Sequence, residues 1–227
     1  MKLARSGIAA LLLAMPLVFG VAQAALTEDQ LAKRLADAGA VYQELVRTPD
    51  RGIPEALHDK CKCVAVFPHV YKGAIGFGAR HGNGVATCRD AAGHWSPVAF
   101  LKLTGGSWGL QLGATATDVV LFFMTERGAQ SLLESKFTLG ANAGVAAGPV
   151  GRTAEASTDL KLEAEIYSYA RSKGLFAGLS LEGARLAADE KANRQFYGAP
   201  VSAKALLFEH GAPRRPPEGE AFLGLLP

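Results

Sequence analysis

From Cys61 to Met124 the chain is a succession of short apolar runs cut by glycine and proline. The runs are CKCVAVF, KGAIGFGAR, GVATCRD, WSPVAFLKLTG, SWGLQLGA and DVVLFFM. They are too short for long helices and rich in Val, Phe and Thr, which predicts strands that follow one another through a sheet. DVVLFFM is continuously apolar and predicts a strand covered on both faces. CKCVAVF is expected to stop at Pro68. His81-Gly82-Asn83-Gly84 is expected to turn a hairpin, because Asn-Gly accepts the positive φ that a tight hairpin turn demands. Glycine accounts for 26 of the 227 residues, without a collagen-like period. It suits bulges and close backbone approach within a sheet.

Helices flank these strands. Residues 27–47, TEDQLAKRLADAGAVYQELVR, carry Leu31, Leu35, Ala38, Tyr42 and Leu45 at spacings of three and four, one apolar stripe on a helix. Thr27 and Gln30 form a capping box at its start, and Thr48-Pro49-Asp50 ends it. A short second helix is expected from Pro54, and another over ERGAQSLLES with Thr125 as its N-cap. FTLGANAGVAAGPVG reads as strand and turn. DLKLEAEIYSYAR alternates, with Leu160, Leu162, Ala164 and Ile166 on one side, and predicts a half-buried strand. LFAGLSLEG is its expected partner across Arg171-Ser172-Lys173-Gly174. A last helix is expected over Ala187 to Phe196. The stretch 201–227, with Pro213, Pro216 and Pro217, reads as a loosely ordered tail. The expected class is α+β: an antiparallel, glycine-rich curled sheet or partial barrel, with N-terminal helices and a short C-terminal helix.

The first 24 residues read as a secretory signal peptide. Lys2 and Arg5 precede a short apolar core, and Ala22-Gln23-Ala24 is a cleavage site. The core falls short of the roughly 20 residues of a membrane span. Residues 25–200 are then the folded domain of an exported protein, periplasmic or secreted. Of 24 Lys and Arg against 21 Asp and Glu, two cations lie in the signal peptide, which leaves a net charge of +1. That is no footprint for duplex nucleic acid.

The chemical motifs are weak. Gly105-Gly106-Ser107-Trp108-Gly109 matches the G-x-S-x-G nucleophile elbow. An elbow needs a helix after its serine, whereas Leu110, Leu112 and Ala114 continue a strand pattern, and the only downstream histidine is His210. His58, Cys61, Cys63 and His69 have ligand chemistry, but C-x-C on a strand is a poor tetrahedral chelate. GAIGFGARHGNG misses the G-x-G-x-x-G spacing, and no helix follows it. Glu163 and Glu165 lie on the polar face of a strand. No catalytic residue, metal or cofactor is expected. In an exported chain Cys88 is expected to pair with Cys61 or Cys63; Cys63, deeper in the apolar strand, is favoured.

The stripe on the first helix has two readings. It packs on the sheet, as amphipathic helices of globular domains usually do, or it lies on a bilayer with Leu31, Leu35 and Tyr42 inserted and Lys33 and Arg34 at the phosphates. CVAVFPHVYKGAIGFGARHGNGVATCR, LTGGSWGLQLGATATDVVLFFM, FTLGANAGVAAGPVGR, GLFAGLSLEGA and the closing FYG at 196–198 together resemble the SYLF domain. That family includes yeast actin-patch proteins, and the resemblance spans roughly residues 27–198. It implies binding of acidic phospholipid through the N-terminal region: Leu31, Lys33, Arg34, Leu35 and Tyr42, with Lys60, Lys62 and Lys72 nearby. For an exported, bacterial member, the implied ligand is anionic envelope phospholipid. The alternative is a structural or protein-interaction module of the envelope without a lipid ligand.

Overall fold

A computed structural model describes residues 26–47, 54–75, 77–108, 113–134, 137–149, 164–172, 175–178 and 181–227. The expected signal peptide, the stop at Thr48-Pro49-Asp50 and the alternating Leu160 and Leu162 lie outside the described residues. In chain order come α1 (Glu28–Arg47), α2 (Glu55–Lys60), β1 (Cys63–Ile75), β2 (Phe77–Cys88), β3 (Ala99–Trp108) and β4 (Gly113–Phe123). After α3 (Glu126–Gln130) and a turn of 3-10 helix come β5 (Phe137–Thr138), β6 (Val145–Ala147), β7 (Ile166–Ser172), β8 (Leu175–Gly178) and β9 (Arg185–Ala188). The chain ends in α4 (Glu190–Tyr197), α5 (Ala203–Leu207) and α6 (Pro217–Leu223).

The strands form one sheet in the order β5-β9-β3-β2-β1-β4-β7-β6, with β8 also on β7. All pairings are antiparallel except β6 with β7. The sheet curls into an open half-barrel, as the α+β reading expects. β1 lies at its centre between β2 and β4. Val119 to Phe123 on β4 are all buried, the both-face burial that their continuous apolar run predicts. β7 is also buried over Ile166 to Ala170, so its described part is not the half-exposed strand expected. β8 pairs with its edge from Tyr169 to Ser172.

Two expected breaks in the strands do not occur. β1 continues through Pro68 by a bulge, with register shifts between Val66 and Tyr71 toward β2 and between Phe67 and Val70 toward β4. Proline has no N–H to give to the ladder. The next residue, His69, takes a φ of 55°, and its N–H donates to Asp118 Oδ1 at 2.9 Å instead. The ladder then resumes. The hairpin turn is not at Asn83-Gly84 either: β2 runs straight through it, and the register closes with Ile75 opposite Phe77. Gly84 is required by close approach, not by a turn. A Cβ there would lie 2.4 Å from Phe67 Cδ1 and from the Val66 carbonyl.

Local capping sets the helices. Thr27 Oγ1 accepts from Gln30 N–H at 3.2 Å and Gln30 Oε1 accepts from Thr27 N–H at 3.1 Å, the expected reciprocal box. Thr125 Oγ1 accepts from Gly128 N–H at 3.0 Å and starts α3. α4 begins later than expected because Asp189 caps it through Ala192 N–H, while Arg185 to Ala188 pair with β3. The C-terminal stretch is not a loose tail. Pro216 and Pro217 start α6, a position where the missing N–H costs nothing. Phe222 is buried, and α6 packs on α1. The Pro227 carbonyl accepts from Trp95 Nε1 at 2.9 Å and Arg89 Nη2 at 2.8 Å.

Candidate functional site

The stripe on α1 is core. Leu31 and Leu45 are 0 % exposed, and Leu35 and Tyr42 are 2 % exposed. α1 packs on β1 and β2. Leu31, Leu35 and Tyr42 are therefore not on a surface that can enter a bilayer, and the packing reading of the stripe prevails. The sheet offers the apolar partner that the stripe needs, so water never reaches it. Arg34 is corrected with them. Its guanidinium lies 3.2 Å from Asp189 Oδ2 and 5.4 Å from the Phe100 ring centroid, and its side chain is 11 % exposed. Asp189 also meets Lys102 Nζ at 3.0 Å. Arg34 thus ties α1 to the sheet, its charge matched by Asp189. Salt bridges from Glu44 to Arg171 and from Glu28 to Arg214 hold the helix near its two ends.

The remaining cations do not converge. Lys33 is exposed and pairs with Asp37 at 2.8 Å. Lys60 is exposed at the end of α2, and Lys62 pairs with Glu126 at 3.2 Å. Lys72 lies ten residues along β1 from Lys62, about 30 Å away at the rise of a strand. Beside it is a residue that sequence reasoning missed. Arg80 is the direct partner of Lys72 across β1 and β2. Its stem runs over Gly105, its partner on β3, where an added Cβ would lie 3.1 Å from Arg80 Cγ. Partial burial holds its guanidinium below its ordinary pKa. Among the described residues, neither Lys72 nor Arg80 has an acidic side chain in salt-bridge range. The sequence reading missed it because it placed the hairpin at Asn83-Gly84, whereas β1 and β2 pair with Ile75 opposite Phe77.

On the other face of the same strands, a cleft of about 240 Å³ lies between α1 and the bulge, lined by Lys33, Asp37, His69, Tyr71 and His81. His69 also faces Asp118, which Arg171 neutralises at 2.7 Å.

The other motifs resolve into structure. Cys63 and Cys88 are direct register partners and form a disulfide, the favoured pairing. Cys61 is a buried free thiol that donates to the His58 carbonyl, and burial pushes it up to about 11. His58 is buried against Tyr42, with 3.0 Å between Nδ1 and the phenol oxygen, and burial lowers it to about 4. With Cys63 in a disulfide, these residues do not gather as ligands. Among the described residues, no three His, Cys, Asp or Glu could hold a metal. Ser107 lies on β3 in register with Gly78, and the next described element is β4. That is not the strand–turn–helix of an elbow. Glu165 accepts from Gly144 N–H and meets Arg127, while Glu163 lies outside the described residues.

These features define an α+β domain on a curled half-barrel sheet, with its first helix built into the core. Residues 104–226 match the family profile described as Ysc84, Las17-binding protein actin regulator. The bovine SH3 domain-containing YSC84-like protein 1 is 35 % identical over 179 residues, 78 % of this chain and 52 % of the relative. Protein YSC84 of Saccharomyces cerevisiae is 34 % identical over 180 residues, 78 % of this chain and 38 % of the relative. LAS seventeen-binding protein 3 of the same yeast is 36 % identical, covering 78 % and 39 %. The chain belongs to the Ysc84 (SYLF) family. It spans about half the length of the bovine relative and about two fifths of the yeast ones. The family description and one yeast name speak of binding, and none of these names an enzyme.

Proposed function

We propose that this chain is an exported, non-catalytic binding module that docks on anionic phospholipid of the cell envelope. The observation that supports this best is the pairing of Lys72 with Arg80. Like charges directly opposite across a sheet destabilise it, and here no acidic side chain among the described residues relieves them. An anion between them does. The second reading, a protein-interaction module without lipid, draws on the family's description as a Las17-binding actin regulator.

Co-sedimentation with vesicles of phosphatidylglycerol in phosphatidylcholine separates the two. Binding should rise with phosphatidylglycerol and fall with salt. Each cation near an anionic surface contributes about 1 kcal/mol, so Lys72→Gln with Arg80→Gln should weaken binding about thirtyfold. Lys33→Glu, on the exposed side of α1, should cost less. Equal loss in all variants would return the site to α1. No binding to any vesicle would leave the protein-interaction reading.

A further inference from the structure

Strain, charge and size meet in the cleft between α1 and the β1 bulge. His69 holds a φ of 55° within that bulge. Such a backbone is costly for a residue with a Cβ, and it gathers at functional sites. Bulges also re-aim side chains, and the His69 side chain lines the cleft, 54 % exposed.

The fixed charges around the cleft balance. Lys33 matches Asp37 at 2.8 Å. Arg171 serves Asp118 at 2.7 Å and also Glu44, while Asp189 serves both Arg34 and Lys102. Two imidazoles remain, His69 on β1 and His81 on β2. His81 is exposed and, among the described residues, has no hydrogen-bond or salt-bridge partner. His69 lies 3.6 Å from Asp118, whose charge Arg171 already takes up. Exposed Arg185 stands in the same row two strands beyond His81, about 10 Å away at the spacing of strands. Protonation of the two imidazoles therefore leaves the cleft positive. Its volume of about 240 Å³ lies below the roughly 300–1,000 Å³ of sites for drug-sized ligands. That is too little for a peptide or a glycan and enough for one small group. The amides of Gln30 and Asn83 and the Tyr71 hydroxyl line the same space as neutral donors.

We propose that this cleft is a site for one tetrahedral oxyanion, the phosphate of an ester or free phosphate, taken up when His69 and His81 carry protons. Histidine is the side chain that changes charge between about pH 5 and 8, so capture strengthens as pH falls through that range. The site lies on the opposite face from Lys72 and Arg80 and does not depend on the lipid reading above.

Sulfate is the probe, because it stays a dianion across that range. Added to the isotope-labelled full chain at about pH 5.5, it should shift the imidazole resonances of His69 and His81. At about pH 8 it should bind at least about tenfold more weakly, the worth of one charge-assisted hydrogen bond. His69→Asn, which tolerates the positive φ, combined with His81→Gln should remove the pH dependence with an unchanged circular dichroism spectrum. Lys72→Gln with Arg80→Gln should keep it. If the histidine variant fails to fold, the imidazole shifts of the unaltered chain decide. Sulfate that shifts neither imidazole, binds equally at both pH values, or binds the histidine variant as well as the unaltered chain would overturn the site. Phosphatidylglycerol vesicles at the lower pH separate the sources. Displacement of sulfate from the two histidines assigns the phosphate to a lipid headgroup, and retention assigns it to a soluble phosphate.

Discussion

Asp189 is the buried anion that joins α1 to the sheet, and Asp189→Ala removes it. The residue is 1 % exposed and serves three partners: Arg34 at 3.2 Å, Lys102 at 3.0 Å and the N–H of Ala192 at the start of α4. Loss of the cap costs about 1 kcal/mol. Lys102 is 39 % exposed and regains water, so it adds little. Arg34, 11 % exposed, is left as a cation without its counter-charge. Breaking a buried pair by removing one partner costs about 3–5 kcal/mol, and contact with the Phe100 ring offsets a part of that. The sum is about 4 kcal/mol. For a domain of this size that is a fall of about 8–16 °C in Tm. Urea midpoints and thermal scans of the purified chain measure it. Arg34→Ala should cost less, about 2 kcal/mol, because Asp189 keeps Lys102 and its cap. The double variant should cost less than the two losses added. If Asp189→Ala loses under 1 kcal/mol, or Arg34→Ala loses more than Asp189→Ala, α1 is not held by this anion.

His58 should make the fold acid-sensitive. Burial lowers it to about 4, whereas the unfolded chain binds the proton near 6.5. Its contribution is therefore complete above about pH 6.5 and is lost as pH falls toward 4, about 3 kcal/mol in all. His58→Asn keeps an acceptor for Tyr42 and should flatten stability over that window; an unchanged slope would place the titration elsewhere. Reduction of Cys63–Cys88, 25 residues apart in sequence, should lower stability by up to about 3.5 kcal/mol, read from urea midpoints with and without dithiothreitol. Buried Cys61 should stay unreactive to a thiol reagent until the chain unfolds. Rapid labelling of the native protein would contradict its placement.

Several features were legible because neighbours in sequence decide them. The Thr27–Gln30 box and the Thr125 cap join residues three apart. The both-face burial of β4 was visible in an unbroken apolar run. Cys63 with Cys88 followed from the deeper position of Cys63 in its strand. Where local preference met a distant partner, the reading failed. Asn83-Gly84 is a good turn, yet Gly84 lies under Phe67 and the chain turns at the end of β1 instead. Pro68 usually ends a strand, yet Asp118, some fifty residues on, takes up the freed N–H of His69. The prolines of the last stretch read as disorder until Phe222 had α1 to pack against.

The sequence by itself determined that this chain has a capped amphipathic helix, glycine-spaced strands and an α+β class, since periodicity and capping act over a few residues. It could not say whether Leu31, Leu35 and Tyr42 meet lipid or protein, because an apolar stripe favours any apolar partner. Only the tertiary structure decided that, by laying the sheet against them. It alone also set Lys72 against Arg80 and lined up Ile75, Phe77 and Trp108, because strand register is a property of two chain segments together.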